Sequence, residues 1–228
     1  MTNFERTAVV RTQVCVPLRF ADGYSTQGRV ITFAGLADER EHIAIGLGPQ
    51  SAGNGTAPLV RLHSECLTGD VLGSQRCDCG AQLREAVKLI ADVGGYVLYL
   101  RQEGRGIGLY DKIDAYALQD TGLDTYEANL ALGHGADERD YTVGAQMLQA
   151  LGVSAIRLLS NNPDKTRQLT DCGVTVVEQM RTGVHLSAAN SSYLRAKAGR
   201  GDHTIYLPDI DDDRAGNGGL QPCGKRRK

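Results

Sequence analysis

At 228 residues, 41% hydrophobic and 23% charged, the chain has the make-up of an ordinary globular protein, long enough for one large domain or two small ones. A net charge of −2 gives no global basic field to recruit nucleic acid, and there is no apolar run of about 18 residues to cross a membrane. With no signal-peptide pattern after Met1, a cytoplasmic location is expected, and Cys15, Cys172 and Cys223 read as free thiols in a reducing compartment.

The opening of the chain is strand-rich. Thr7 to Phe20, Gly28 to Ala34, His42 to Leu47 and Leu59 to His63 are β-branched or aliphatic runs, separated by Ala-Asp-Gly, Gly-Pro and Gly-Asn-Gly turns. After Cys79 the period changes. Leu83, Val87 and Ile90 recur at helical spacing across Ala81 to Asp92, Gly94-Gly95 ends that helix, and Tyr96 to Leu100 follows as a buried strand. A glycine-punctuated loop, Arg101 to Gly108, leads into a second helix over Leu109 to Gln119. A third helix covers Tyr141 to Leu151, and Ala155 to Ser160 is a further strand. Asn162-Pro163 reads as the N-cap and first residue of a fourth helix, which Gly173 stops before a strand over Val174 to Glu178. The pattern predicts an α/β fold: a single domain with a mixed sheet flanked by helices and a strand-rich N-terminal part, spanning 1–206. The Asp-, Gly- and Lys/Arg-rich segment 207–228, ending in Lys225-Arg-Arg-Lys228, is expected to be a disordered tail.

Chemistry concentrates first in Cys66, Cys77 and Cys79. Thiolates are soft, strong ligands for zinc, and three so close in sequence can converge on one ion. Three protein ligands leave a fourth position for water, which zinc acidifies to a pKa of about 7, so the count favours a hydrolytic over a structural metal. His63 is the alternative: as a fourth ligand it would close the site. A closed, structural zinc would suit the different reading of a nucleic-acid-binding module, which the net charge and the lack of tryptophan oppose.

Other polar segments fall where the fold places loops. Arg101-Gln-Glu-Gly-Arg105 follows a strand and so lies at the sheet's carboxyl edge, where Arg105 can fork onto phosphate, Glu103 can accept from a base or sugar, and Gly104 lets backbone approach. Ser160-Asn-Asn-Pro-Asp-Lys165 combines a hydroxyl, a helix N-terminus and Lys165 in an anion site, or is merely a capped helix. Asp137, Glu138 and Asp140 surround Arg139, which would be held in place by them. Tyr116 is either a core aromatic or a catalytic hydroxyl.

The runs Val60 to Asp70, Arg76 to Gly80, Arg101 to Arg105, Lys112 to Asp120, Asp124 to Asn129, Ala136 to Asp140 and Asn161 to Pro163 closely resemble, in that order, the GTP cyclohydrolase II family of riboflavin biosynthesis. The resemblance spans Val60 to Glu178. It implies zinc, one ion per subunit, on Cys66, Cys77 and Cys79. It implies GTP contacts at Arg61, Leu62, His63, Ser64 and Glu65, and at Gln82, Glu103, Gly104, Arg105, Thr125, Ser160 and Lys165. The family often has threonine where this chain has Ser160, which keeps the hydroxyl. By the same resemblance Tyr116 serves ring opening, Asp137 is the proton acceptor and Arg139 the nucleophile. An arginine is almost never deprotonated, so a phosphate clamp is the plainer role for Arg139. The implied reaction releases pyrophosphate and formate from GTP with Mg²⁺ on the phosphates, in a homodimer. A relative that stops at the formamidopyrimidine nucleotide, or serves a specialised pathway, is the alternative.

Overall fold

The computed structural model describes residues 7–49, 56–135, 137–187 and 190. Seven strands form one mixed sheet: β1 (Val9–Arg19), β2 (Ser25–Ala34), β3 (Ile43–Leu47), β4 (Leu59–Ser64), β5 (Gly95–Leu100), β6 (Ala155–Leu159) and β7 (Thr175–Met180). Six helices accompany them among the described residues: α1 (Leu67–Asp70), α2 (Cys79–Val93), α3 (Leu109–Gln119), α4 (Thr125–Ala131), α5 (Thr142–Ala150) and α6 (Pro163–Asp171). The fold is α/β, as the alternation of periods predicts. The short turn α1 and the helix α4 are additions to the four helices expected from the sequence. The tail expected from residue 207, and the domain boundary before it, lie outside the described residues.

The strand order is β1-β2-β3-β5-β4-β6-β7. β1, β2, β3 and β5 pair antiparallel, whereas β5, β4, β6 and β7 run parallel. β4 and β5, central among the parallel strands, are buried along almost their whole length, and β5 reads as an unbroken apolar run whereas β4 carries Arg61 and His63 into the interior. On one face α2 packs Ala86, Val87 and Ile90 against Leu47, Leu59, Val97 and Leu159. On the other, Met147 and Leu148 of α5 and Leu169 of α6 join Val60, Leu62, Leu98, Ile156 and Leu158. β1 and β7 are the two edges, and both are mostly exposed.

The chain leaves β4 for β5 on one side and later returns to place β6 on β4's other side. The order therefore reverses between β4 and β6, and open α/β sheets bind ligands at the carboxyl ends of strands flanking such a reversal. These two strands pair only through Leu59–Arg157 and Val60–Leu158, and then part. No helix among the described residues is long and apolar enough to cross a membrane.

The start of β5 depends on Gly95, whose φ of 151° and proximity to β4 leave no room for a side chain: an added Cβ would lie 1.9 Å from the Leu59 carbonyl oxygen. Gly95→Ala is expected to lower unfolding free energy by about 1–3 kcal/mol, read as an earlier midpoint in urea titration.

Candidate active site

The polar ends of β4, β5 and β6 and the first turn of α2 open onto one cleft. β4 delivers Cys66 two residues beyond its last strand position, α1 turns the chain back, Cys77 follows on a loop, and Cys79 is the first residue of α2. The three sulfurs lie within 4.8 Å of one another, with Cys66 and Cys77 Sγ 3.6 Å apart. A tetrahedral ion with metal–sulfur bonds of about 2.3 Å spaces its sulfurs about 3.8 Å apart, so the cluster fits one metal ion. Gly69 makes the cradle possible: a Cβ there would sit 2.8 Å from Cys77 Sγ and 3.0 Å from Cys66 Sγ.

The thiols share hydrogen bonds, and they do not ionise alike. Hydrogen bonds from Cys77 and Cys79, with the charge of Lys112, hold the Cys66 thiol far below its ordinary pKa. In consequence Cys77 is pushed up to about 11, chiefly by its bond to Cys66, and Cys79 is raised well above the ordinary thiol value by the same partners. A second and third thiolate in this space require a cation.

His63 does not join the metal-ligating group. Its Nε2 lies 3.0 and 3.1 Å from the two oxygens of Asp70, a carboxylate that also accepts from Tyr99 Oη (2.9 Å) and from the Cys66 amide (3.0 Å). The alternative of a four-ligand, closed site is thereby set aside among the described residues. His63 stacks on Tyr99, and burial, outweighing Asp70, lowers its pKa, so the ring is neutral.

Where β4 and β6 part, two buried cations take up the carbonyls that pairing leaves over. Arg61 donates from Nη1 to the Leu159 carbonyl (3.1 Å) and from Nη2 to Gln82 Oε1 (2.8 Å), while Gln82 Nε2 donates to Asp78. Lys165, from the first turn of α6, donates to the Leu62 carbonyl at 2.7 Å. Leu62 thus serves through its backbone, its side chain being part of the core. Asn162 caps α6 by accepting from the Asp164 amide, and Ser160 Oγ accepts from the Asn162 amide, which fixes the loop beside Lys165. Burial lowers the pKa of Arg61, but a guanidinium stays charged.

The loop after β5 forms the opposite wall. Glu103 accepts from the Leu67 amide (2.7 Å) and from Lys112 Nζ (2.7 Å), so both its oxygens are engaged within the protein. Gly104 and Arg105 have left-handed φ of 63° and 65°, which throws the Arg105 guanidinium over the Tyr126 ring at 4.4 Å. Tyr116 sits between two cations, Arg76 at 4.9 Å and Lys112 at 5.7 Å from its ring, with its hydroxyl 3.5 Å from Thr68 Oγ1. At the rim, Arg139 forms a two-point contact with Asp137. Burial works against that carboxylate, but Arg139 prevails and holds it below the usual range.

Of the residues singled out from the sequence, Arg61, His63, Ser64, Glu65, the three cysteines, Gln82, Glu103, Gly104, Arg105, Tyr116, Thr125, Arg139, Ser160 and Lys165 all line the cleft. Asp137 stands behind Arg139 and does not line it. The sequence reading missed Gln102, Lys112, Asn129 and Thr182. Lys112 is the most consequential: its Nζ lies 3.1 Å from Cys66 Sγ and 3.2 Å from Thr68 Oγ1 besides Glu103. Burial opposes its charge, but the Cys66 thiolate and Glu103 raise its pKa.

A family model described as GTP cyclohydrolase II matches residues 15–181. A Vibrio cholerae protein named GTP cyclohydrolase-2 is 53% identical over 178 residues, covering 78% of this chain and 89% of the relative. A Psychromonas ingrahamii protein of the same name is 48% identical over 199 residues, covering 87% and 98%. A third of that name, from Hahella chejuensis, is 52% identical over 181 residues, covering 79% and 86%.

Two outcomes test the metal cradle. Gly69→Ala is expected to weaken retention of zinc or cobalt against a chelator by about ten- to a hundredfold with unchanged circular dichroism, because Cβ displaces two sulfurs. Metal uptake must also drive off the Cys77 and Cys79 protons, so affinity is expected to climb as pH rises through neutrality toward about 11. Calorimetry in buffers of different ionisation enthalpy reads the released protons.

Proposed function

The chain belongs to the GTP cyclohydrolase II family, and from that membership we propose that it opens the guanine imidazole ring of GTP, releasing formate and pyrophosphate and leaving 2,5-diamino-6-(5-phosphoribosylamino)pyrimidin-4(3H)-one. One water is consumed for each bond broken: the ring bond from C8 to N9, the bond from C8 to N7, and the bond between the α- and β-phosphates. The observation that carries this reading is a single cleft lined both by the thiol cluster and by Arg61, Arg105, Arg139 and Lys165. A base-opening centre and a polyphosphate site side by side are what this reaction requires.

Zinc is the ion the tris-thiolate set favours, and bound there it supplies Lewis acidity and lowers the pKa of water at its open position to about 7. The chain's own residues do the rest. Arg61 and Lys165, fixed by the sheet's carbonyls, are pre-positioned cations for the phosphates. Tyr116, its pKa raised by burial, keeps its proton at neutral pH and is placed to donate it to a ring nitrogen as a bond to C8 breaks. Arg139 clamps the departing pyrophosphate, with Asp137 holding its guanidinium in place. For Arg139 to act as a nucleophile instead, a base must first take its proton, and Asp137, 2.8 Å from Nε, is the group so placed. The proposal extends to Mg²⁺ on the triphosphate, a homodimer, a cytoplasmic location and the first step of riboflavin biosynthesis, all carried by family membership.

Mass spectrometry of the products from GTP, Mg²⁺ and zinc-loaded protein tests the reaction, with formate and pyrophosphate assayed together. Both are expected; pyrophosphate without formate would place the chain among enzymes that stop at the formamide. Tyr116→Phe is expected to cut formate release by about a hundredfold or more while leaving pyrophosphate release measurable. Arg139→Ala is expected to slow pyrophosphate release by about 10²–10³.

A further inference from the structure

The antiparallel part of the sheet contributes no residue to the cleft, since none of the described cleft-lining residues precedes Arg61. It does reach the cleft by another route. The β3–β5 ladder ends at Ile43–Tyr99, just where β5 hands over to the loop Arg101–Gly106. Beyond that point side chains from the β2–β3 connection grip the backbone of Arg101 on both sides: its amide donates to His42 Nδ1 at 2.9 Å, and its carbonyl accepts from Arg40 Nη1 at 2.9 Å. The Arg101 side chain then ion-pairs with Glu65, a cleft residue at the end of β4, at 2.8 Å.

His42 is built for one orientation. Its side chain is wholly buried, and its Nε2 lies 2.9 Å from each oxygen of Asp38. A carboxylate only accepts, so Nε2 carries the proton and Nδ1 is left as a bare lone pair, which is what an amide donor needs. The turn that sets Asp38 beneath the ring uses a left-handed residue that is not glycine, Glu39 at φ 55°, and is tied to α5 through the Ala37 amide and Gln146 Oε1 at 3.0 Å. A non-glycine held in that region signals a geometry fixed by its surroundings.

We propose that His42, oriented by Asp38, is a positioning residue that sets the start of the Arg101–Gly106 loop and so the placement of Glu103 and Arg105 in the cleft. The first of the loop's residues to be gripped lies two positions before Glu103, whose oxygens in turn hold Leu67 and Lys112 beside the cysteines. The kinetic part of this inference rests on the proposed GTP reaction; the structural part does not.

Two amide variants, each matching one ring nitrogen in reach, separate the two. His42→Asn places Oδ1 where Nδ1 stands and keeps an acceptor for Arg101 while losing the Asp38 contact. His42→Gln keeps the reach to Asp38 and strips the acceptor from Arg101. His42→Gln is expected to raise KM for GTP about tenfold or more, with kcat changed less than about threefold, and to speed hydrogen exchange of the Arg101 amide about tenfold. His42→Asn, which keeps the acceptor but loses the Asp38 contact that orients it, is expected to fall between wild type and His42→Gln in both readouts. Equal behaviour of the two variants in both readouts would overturn the proposal. Should His42→Gln fail to fold, His42→Asn decides alone, since complete loss of its Arg101 protection refutes the clamp and partial retention supports it. A wild-type protein inert towards GTP would sink the proposed function and leave amide exchange to judge the clamp.

Discussion

Beyond Val60 and Leu158, β4 and β6 no longer pair, and the carbonyls of Leu62 and Leu159 need donors that no neighbouring strand supplies. Lys165 and Arg61 meet that need. A buried carbonyl without a partner is costly, so each side chain is drawn to the strand ends, and each brings a full positive charge with it. The cleft exists because the strands diverge, and it is cationic because the divergence is satisfied by cations. The same two hydrogen bonds thus serve the fold and hold two positive charges in the cleft.

Around this floor the remaining charges are arranged in mutually holding sets. Asp70 gathers His63, Tyr99 and the Cys66 amide; Glu103 gathers the Leu67 amide and Lys112; Lys112 in turn touches Cys66. The thiol end of the cleft is therefore tied to the end of β4 and to the loop after β5. Displacing either would move the sulfurs. Such connectivity is what holds ligand geometry within the tolerance that metal chemistry demands.

Much of this was legible from the chain. β5 announces itself as a continuous apolar run, the other strands by β-branched and aliphatic residues between turn signals, and α2, α3, α5 and α6 by their period or caps. α4 has no periodic signature of its own, although Asp124 and Glu127 stand at capping-box spacing and form that box in the structure. Its seven residues are too few for a periodic signal to accumulate. The thiol cluster was readable because its ligands are near neighbours in sequence and sulfur has few other uses. Lys112 was not, since a lysine on an amphipathic helix reads as solvated until tertiary structure places Cys66 and Glu103 against it. The cleft's dependence on the N-terminal strands was equally hidden, because His42 acts on a main-chain amide 59 residues away.

Arg105 carries a consequence of a different kind. Its left-handed backbone suits glycine, and holding a non-glycine residue there costs about 1–3 kcal/mol. Replacement by glycine would relax the turn while removing a cation from the cleft. At this position a relaxed backbone and a positive charge in the cleft pull in opposite directions. A search for thermostable variants by stability alone would drift toward glycine at 105 and strip that charge from the cleft in the process.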